Sequence, residues 1–260
     1  MKLILCDGDS WTAGDIIDPE LDETWVNHPS NDDYRLPKVW PYKLGKLLNV
    51  DVINDGIAGS SNDGVVRRVL RKIPELLKTY KPEDLFVIIG WSSPERKDLY
   101  YNGKWNGWET IYPSQLTQDF SYDEDLETFY RIYIMKFWNK EEYTERYVQH
   151  NLLLHHFLNS FGIKHIFFDA FYESKTKALG SFIKPKNMFS NKSRKKNPAP
   201  SLSEESLKLI KDIKENYFVK ESFRDLLISG DYFNEELFSS DYHPTEKGHK
   251  LWAEHLSKLV

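Results

Sequence analysis

The sequence predicts an α/β fold in which a parallel central sheet is covered by helices on both faces. Three observations carry this. Short apolar runs alternate with longer segments of helical period, the runs are apolar nearly throughout, and each ends at a small or polar residue where a loop can begin. The 260 residues are 40% hydrophobic, enough for a sizeable core. No linker of shifted composition separates two periodic halves, so a single domain over 1–260 decorated by loops is expected.

Four runs read as strands: Lys2 to Cys6, Val50 to Asn54, Asp84 to Gly90 and Lys164 to Ala170. Between Asn62 and Tyr80, residues Val65, Val66, Val69, Leu70, Ile73, Leu76 and Leu77 fall on one helical stripe. Arg67, Arg68, Arg71, Lys72 and Lys78 mostly face water, and Pro74 is expected to kink this helix. Asp123 to Phe161 carries two periodic blocks broken near Asn139, with Gly162 as the C-cap. Ser201 and Glu204 have capping-box spacing ahead of Leu207, Ile210 and Ile213. A last helix follows Pro244 with Leu251, Trp252, Leu256 and Leu259 inward. Two stretches read as loop insertions. Residues 98–122 are rich in Tyr, Trp, Asn and Gly, and residues 173–200 hold eight Lys or Arg against one acid and are expected to form a mobile basic loop.

Composition excludes several classes. Lys+Arg 35 against Asp+Glu 40 leaves a net charge of −5, which gives no support for nucleic-acid binding. No stretch approaches the roughly 18 apolar residues of a membrane helix, and the first ten residues have too short an apolar run for a secretory signal, so a cytoplasmic protein without a membrane partner is expected. The lone Cys6 excludes an internal disulfide, and no Cys/His cluster has zinc-ligand spacing. His155 and His156 are adjacent, point to different helix faces and make a poor metal pair, while His249 and His255 read as boundary or surface residues of the last helix. Of the aromatic clusters, only Tyr100 to Trp108 is expected to be exposed; Phe129 to Tyr147 reads as packing.

Ligands of an open parallel sheet bind beyond the carboxyl ends of its strands. There the sequence places Asp7-Gly8-Asp9-Ser10-Trp11-Thr12, then Asn54 through Asn62, then Gly90-Trp91-Ser92-Ser93-Pro94-Glu95-Arg96. Asp241-Tyr242-His243-Pro244 precedes the final helix. These are the parts of nucleophilic acyl transfer. A serine hydroxyl needs an imidazole to take its proton, and the imidazole works better with a carboxylate that fixes its tautomer. Ser10, His243 and Asp241 are the candidates. The oxyanion donors are the Ser10 backbone, Gly59, Asn62 and Ser92, and Asp9, Trp91 and Arg96 are candidate substrate contacts. Structural roles stand beside these: Ser10 and Asn62 suit helix N-caps, Gly59 suits a tight turn, His243 can cap a turn, and Arg96 can pair on the surface.

These residues resemble the SGNH or GDSL hydrolases, esterases and lipases with a flavodoxin-like three-layer fold. Gly8-Asp9-Ser10 is similar to the first block, Asn54 to Gly59 to the second, and Asp241-x-His243 with Pro244-Thr245 and Gly248-His249 to the fifth. The resemblance implies Ser10 as nucleophile, Gly59 as backbone donor, and Asp241 and His243 as acid and base, with no metal or organic cofactor. It also implies a small-molecule or carbohydrate ester as substrate, with an O-acetyl group among the candidates. GDSWT, GSSND, GWSSPER and HPTEKGH resemble phage-encoded members, which would put the chain in a virion or the host cytoplasm. Two positions depart from the pattern. Serine stands at Ser92 where the third block has asparagine, leaving Ser92 or Asn62 as third donor. The acid lies two residues before the histidine rather than three, as in relatives acting in polysaccharide O-acetylation; a Ser10–His243 dyad is the alternative.

Asp7-x-Asp9 after an apolar strand also resembles the opening of haloacid-dehalogenase-type phosphatases, in which the first aspartate attacks phosphate with Mg²⁺ present and Gly230-Asp231 with Glu235 would supply the late motif. Trp11 departs from that motif, and the Asp-x-His segment would have no role. A binding or structural protein on the SGNH scaffold is the third reading.

Overall fold

The computed structural model describes residues 1–15, 32–100, 107–112, 124–171, 204–228, 236–239 and 243–260. Its strands are β1 (Leu3–Asp7), β2 (Asp51–Asn54), β3 (Leu85–Trp91), β4 (Lys97–Tyr100), β5 (Trp108–Ile111) and β6 (Lys164–Asp169). Its helices are α1 (Ser10–Ala13), α2 (Asp32–Arg35), α3 (Trp40–Leu48), α4 (Asn62–Leu76), α5 (Glu124–Lys136), α6 (Lys140–Ser160), α7 (Glu204–Asn216), α8 (Phe223–Leu227) and α9 (Glu246–Leu256).

All four expected strands form one parallel sheet in the order β2-β1-β3-β6. β1 and β3 lie in the middle and are buried at every residue, which is why they read as unbroken apolar runs. Alternate side chains go to opposite faces. Leu3, Leu5, Val87 and Ile89 meet Val65, Val69 and Ile73 of α4, Leu154 and Leu158 of α6, and Ile210 and Ile213 of α7. Ile4, Cys6, Ile88 and Phe168 meet Trp40 and Leu44 of α3, Phe223 of α8, and Trp252 and Leu256 of α9. This is the three-layer, flavodoxin-like α/β arrangement. Fully burying side chains of this kind stabilises by about 1.5–3 kcal/mol each, so both faces contribute to holding the strand ends in register.

The break at Asn139 is a helix start, since its side chain caps α6 by accepting from the Glu142 N–H at 2.8 Å. Gly162 follows α6 in the left-handed region at φ 71°. Helix α4 ends at Leu76, just past Pro74 and short of the expected Tyr80. Leu251 of α9 and Leu259, three residues past its end, are exposed rather than inward, and the buried face of the helix is Gly248, His249, Trp252, Ala253 and Leu256. The stretch expected as a loop after residue 98 contains an antiparallel hairpin, β4 paired with β5. Phe129, at 46% exposure, and Phe137, at 63%, are open, so aromatic exposure extends beyond the Tyr100–Trp108 cluster. Ser201 and the whole basic stretch 173–200 lie outside the described residues. Among the described residues, no helix is long and apolar enough to cross a membrane.

One polar chain crosses the sheet–helix interface at the edge. His165 of β6 shares its Nδ1 with the Ile163 carbonyl at 3.0 Å, and its Nε2 lies 3.1 Å from His155 Nδ1; Asn159 Nδ2 lies 2.9 Å from His155 Nε2. A carbonyl only accepts, so His165 carries its hydrogen on Nδ1 and accepts at Nε2 from His155. His155 then accepts from Asn159, and both rings are neutral. Burial pushes His165 down to about 4 from 6.5. A folded-state pKa below the unfolded one means the unfolded chain takes the proton first, so the contribution is full above 6.5 and is lost as pH falls toward 4. We expect acidification from about pH 7.5 to about pH 5 to cost His165→Phe less stability than it costs the native chain, by up to about 2 kcal/mol. Urea unfolding at the two pH values checks this, and identical pH dependence in both proteins would refute the assignment.

Candidate active site

The first loop leaves β1 through Gly8, where a Cβ would run into the Thr12 hydroxyl and stand 2.8 Å from the Gly90 carbonyl. Only glycine lets the loop pass so close to β3. Asp9, in extended conformation, caps α1 by accepting from the Trp11 N–H at 3.0 Å, which makes Ser10 the first helical residue rather than the cap. Trp11 anchors the turn with its ring 4.8 Å from Phe171, 5.3 Å from Phe223 and 5.7 Å from Phe238. Ser10 is 5% exposed; its hydroxyl and its N–H make no hydrogen bond among the described residues, and the hydroxyl is not sealed from solvent.

The second loop is tied to the first. Asn54 donates to the Thr12 carbonyl at 2.8 Å and accepts from Gly56 N–H at 3.1 Å, while Ile57 N–H donates to the Gly8 carbonyl at 3.1 Å. Gly59 then turns at φ 75°, is exposed, and has open space where a Cβ would project. Its N–H is likewise without a partner among the described residues.

Asn62 and Ser92, the two candidates for the third donor, are joined to each other. The Ser92 N–H donates to Asn62 Oδ1 at 2.8 Å, and Asn62 Nδ2 donates to the Ser92 carbonyl at 3.1 Å. Ser61, not Asn62, caps α4. The single Ser92 hydroxyl proton goes to Asp9 Oδ2 at 2.8 Å. An amide group has two hydrogens, so Asn62 keeps one N–H with no partner among the described residues, and Ser92 keeps no free donor.

Two arginines organise the loops. Arg96 Nη1 reaches Ser92 Oγ at 3.0 Å, the Ser60 carbonyl at 3.2 Å and Asp9 Oδ2 at 3.5 Å. Arg68, expected to face water, instead points inward: it holds both Asp7 oxygens at 2.5–3.2 Å, the Gly8 carbonyl at 3.1 Å and Ser60 Oγ at 2.9 Å. Arg67 likewise turns onto the hairpin, 2.6 Å from Asp98 and 3.8 Å from the Trp108 ring centroid. Asp7 is fully buried, and burial raises its pKa to about 7 even with Arg68 against it. Burial also raises Glu95 to about 7, against Arg96 and a hydrogen bond from Ser93.

His243 is half-buried and opens a short return to α9. Ser239 N–H donates to the His243 carbonyl at 2.8 Å, Phe238 bridges to Pro244, and Thr245 caps the helix. Because Phe238 also touches Trp11, the His243 segment and α1 share one aromatic cluster. No hydrogen bond joins Ser10 to His243. Asp241 lies outside the described residues, as do Gly230, Asp231 and Glu235.

Three expectations change. His249 is not a surface residue: it is fully buried and accepts from the Trp40 N–H at 3.3 Å, and burial together with the nearby His243 lowers it to about 3. Trp91 has no exposed surface and packs on Tyr147, His150 and Phe167, so it offers a ligand nothing. Asp9 is also sealed and acts on the site through Ser92 and Arg96. Sequence reasoning missed Arg68. Its charge on an otherwise solvated helix stripe gave no signal of the buried Asp7 that it meets.

Helices on both faces of a parallel sheet, with a serine-led helix and a glycine turn at its carboxyl edge, define the fold of the SGNH or GDSL hydrolases. The chain belongs to the family of unknown function DUF6071, whose model matches residues 19–186. No curated protein matches the sequence. Among solved structures, it is similar to a G-D-S-L family protein from Desulfitobacterium hafniense, 15% identical over 100% of both chains with a TM-score of 0.50. A carbohydrate esterase whose active site displays divergent catalytic and non-catalytic binding functions is 13% identical over 99% of this chain and 67% of that one, with a TM-score of 0.50. An acetyl xylan esterase from the rumen bacterium Butyrivibrio proteoclasticus gives 13% identity over 99% of this chain and 63% of that one, again at 0.50.

Removing Arg68 leaves Asp7 buried without its cation. Arg68→Met is therefore expected to lose roughly 3 kcal/mol of stability at about pH 8, and less at about pH 6, where Asp7 escapes the penalty by taking a proton. Denaturant melts at the two pH values decide it; a loss as large at the lower value would show that Asp7 charge is not the cause.

Proposed function

We propose that the chain is a serine esterase of the SGNH type acting on carboxylic esters. The observation that carries this reading is the presence of three N–H groups with no partner among the described residues, from the Ser10 backbone, the Gly59 backbone and the Asn62 amide, on the loops that present a serine hydroxyl likewise without a partner among them. Buried polar groups are normally paired, so the spare donors of the buried Ser10 and Asn62, beside the solvent-facing N–H of Gly59, suit a charge that arrives with substrate.

Ser10 Oγ attacks the ester carbonyl while His243 takes its proton, and Asp241 orients the imidazole. The carbonyl oxygen becomes an oxyanion facing the Ser10, Gly59 and Asn62 donors, each worth about 10²–10³ in rate in sites of this kind. Collapse expels the alcohol, which receives the proton from His243, and leaves an acyl-serine. Water deprotonated by the same imidazole then releases the acid. Apo sites commonly hold nucleophile and base apart until substrate arrives, which accommodates the unformed Ser10–His243 bond. Carbohydrate O-acetyl esters are the substrates we favour, from the kind of enzyme that shares the fold. The phosphatase reading loses its nucleophile, because Arg68 and the Gly8 N–H already occupy the Asp7 carboxylate.

The lack of a hydrogen bond between Ser10 and His243 also favours a second reading, a binding protein on the same scaffold. An uncharged fluorophosphonate distinguishes the two. Stoichiometric labelling at Ser10, and hydrolysis of short acyl esters lost in Ser10→Ala with unchanged circular dichroism, is the expected result. No labelling together with no turnover would overturn the esterase reading.

A further inference from the structure

Cations at this rim are not equally neutralised. Arg67, Arg68 and Arg146 each have a carboxylate oxygen at 2.6, 2.5 and 2.8 Å. The nearest such oxygen to Arg96 is Asp9 Oδ2 at 3.5 Å, already occupied by the Ser92 hydroxyl at 2.8 Å. All the hydrogen bonds Arg96 donates through its guanidinium leave from Nη1. The Nε and Nη2 edge makes none among the described residues and is not sealed from solvent. That edge is the pair of parallel N–H groups that matches the two oxygens of a carboxylate.

Its place in the site is equally specific. Nη1 is bonded to groups of Asp9 and Ser60, the residues next to Ser10 and Gly59, so the guanidinium stands beside both backbone oxyanion donors. The rings of Tyr112 and Phe171 lie 5.5 and 5.9 Å from its Cζ and reduce the water around it, which strengthens any charge pairing there. Phe171 in turn packs on Trp11, beside the nucleophile. One guanidinium, partly offset by Asp9, suits a single negative charge better than a phosphate dianion.

We infer that the ester cleaved at Ser10 carries a carboxylate of its own, seated on the open edge of Arg96. This rests on the esterase reading and narrows it to acidic esters, with Arg96 setting specificity. The carboxylate stays intact through the reaction, so no bond changes beyond those of ester hydrolysis.

The test uses two matched pairs with the full chain. 4-Nitrophenyl hydrogen glutarate against its methyl ester puts the charge on the acyl side, and 3-acetoxybenzoate against its methyl ester puts it on the alcohol side. In at least one pair, kcat/KM should favour the acid by about tenfold or more, mainly through KM. In Arg96→Gln that ratio should fall to about one whatever the absolute rate, with Arg96→Lys intermediate because it keeps the charge and loses the fork. Ser10 labelling by the uncharged probe with no acid preference in either pair would overturn the inference and leave the esterase standing. A preference that survives in Arg96→Gln would overturn the role of Arg96. Absence of both labelling and turnover would overturn the esterase, and the inference with it.

Discussion

Two aspartates close the first strand, and each is held by an arginine from elsewhere in the chain. Asp7 is bound by Arg68 from α4, and Asp9 by Arg96 from the loop after β3. Both carboxylates are fully buried. A charge in that position is costly unless it is paired and hydrogen-bonded, so the loops after β1, β2 and β3 are bound to a single arrangement. Arg68 touches the first and second loops, and Arg96 touches all three. The Asn62–Ser92 amide pair adds a neutral link between the second and third. Backbone donors can be left unspent at this rim because so much else around them is fixed.

The rest of the fold serves that rim. Trp11 carries no polar role; its ring is inserted among Phe171, Phe223 and Phe238, and so α1 is docked to the same aromatic cluster as the return toward His243. Phe223 stacks on Trp252 at 4.8 Å, which extends the cluster into α9. Packing of this density transmits displacement rather than absorbing it, so the position of the imidazole depends on the helix layer beneath the site.

Much of this was legible in the sequence, and what was not has physical reasons. The four strands of the main sheet could be read because burial on both faces demands unbroken apolar runs, and the Asn139 break because a cap has a chemical signature. Ser10, Gly59 and His243 could be read as ends of elements. Arg68 and Arg67 could not, since periodicity treats a charged residue on a helix as solvated and says nothing of a buried carboxylate waiting on another strand. His249 fails in the opposite sense: the imidazole is polar by type, yet α9 packs it onto the backbone of Trp40. Leu251 and Leu259 were misplaced because a short helix tolerates exposed leucines once Trp252 fills the interface. The β4–β5 hairpin was hidden because Leu99 and Ile111 are the only aliphatic residues in its two strands, too few for an apolar run, and the strands pair with each other rather than with the main sheet.

Cys6 occupies the middle of β1, entirely enclosed, and burial followed by the neighbouring Asp7 raises its thiol well above the ordinary value. It is also the sole sulfhydryl of the chain. A thiol reagent therefore meets a reactive sulfur only after the helices over that face have parted from the sheet, and the chain carries, without any engineering, a chemical clock for the opening of its own interior.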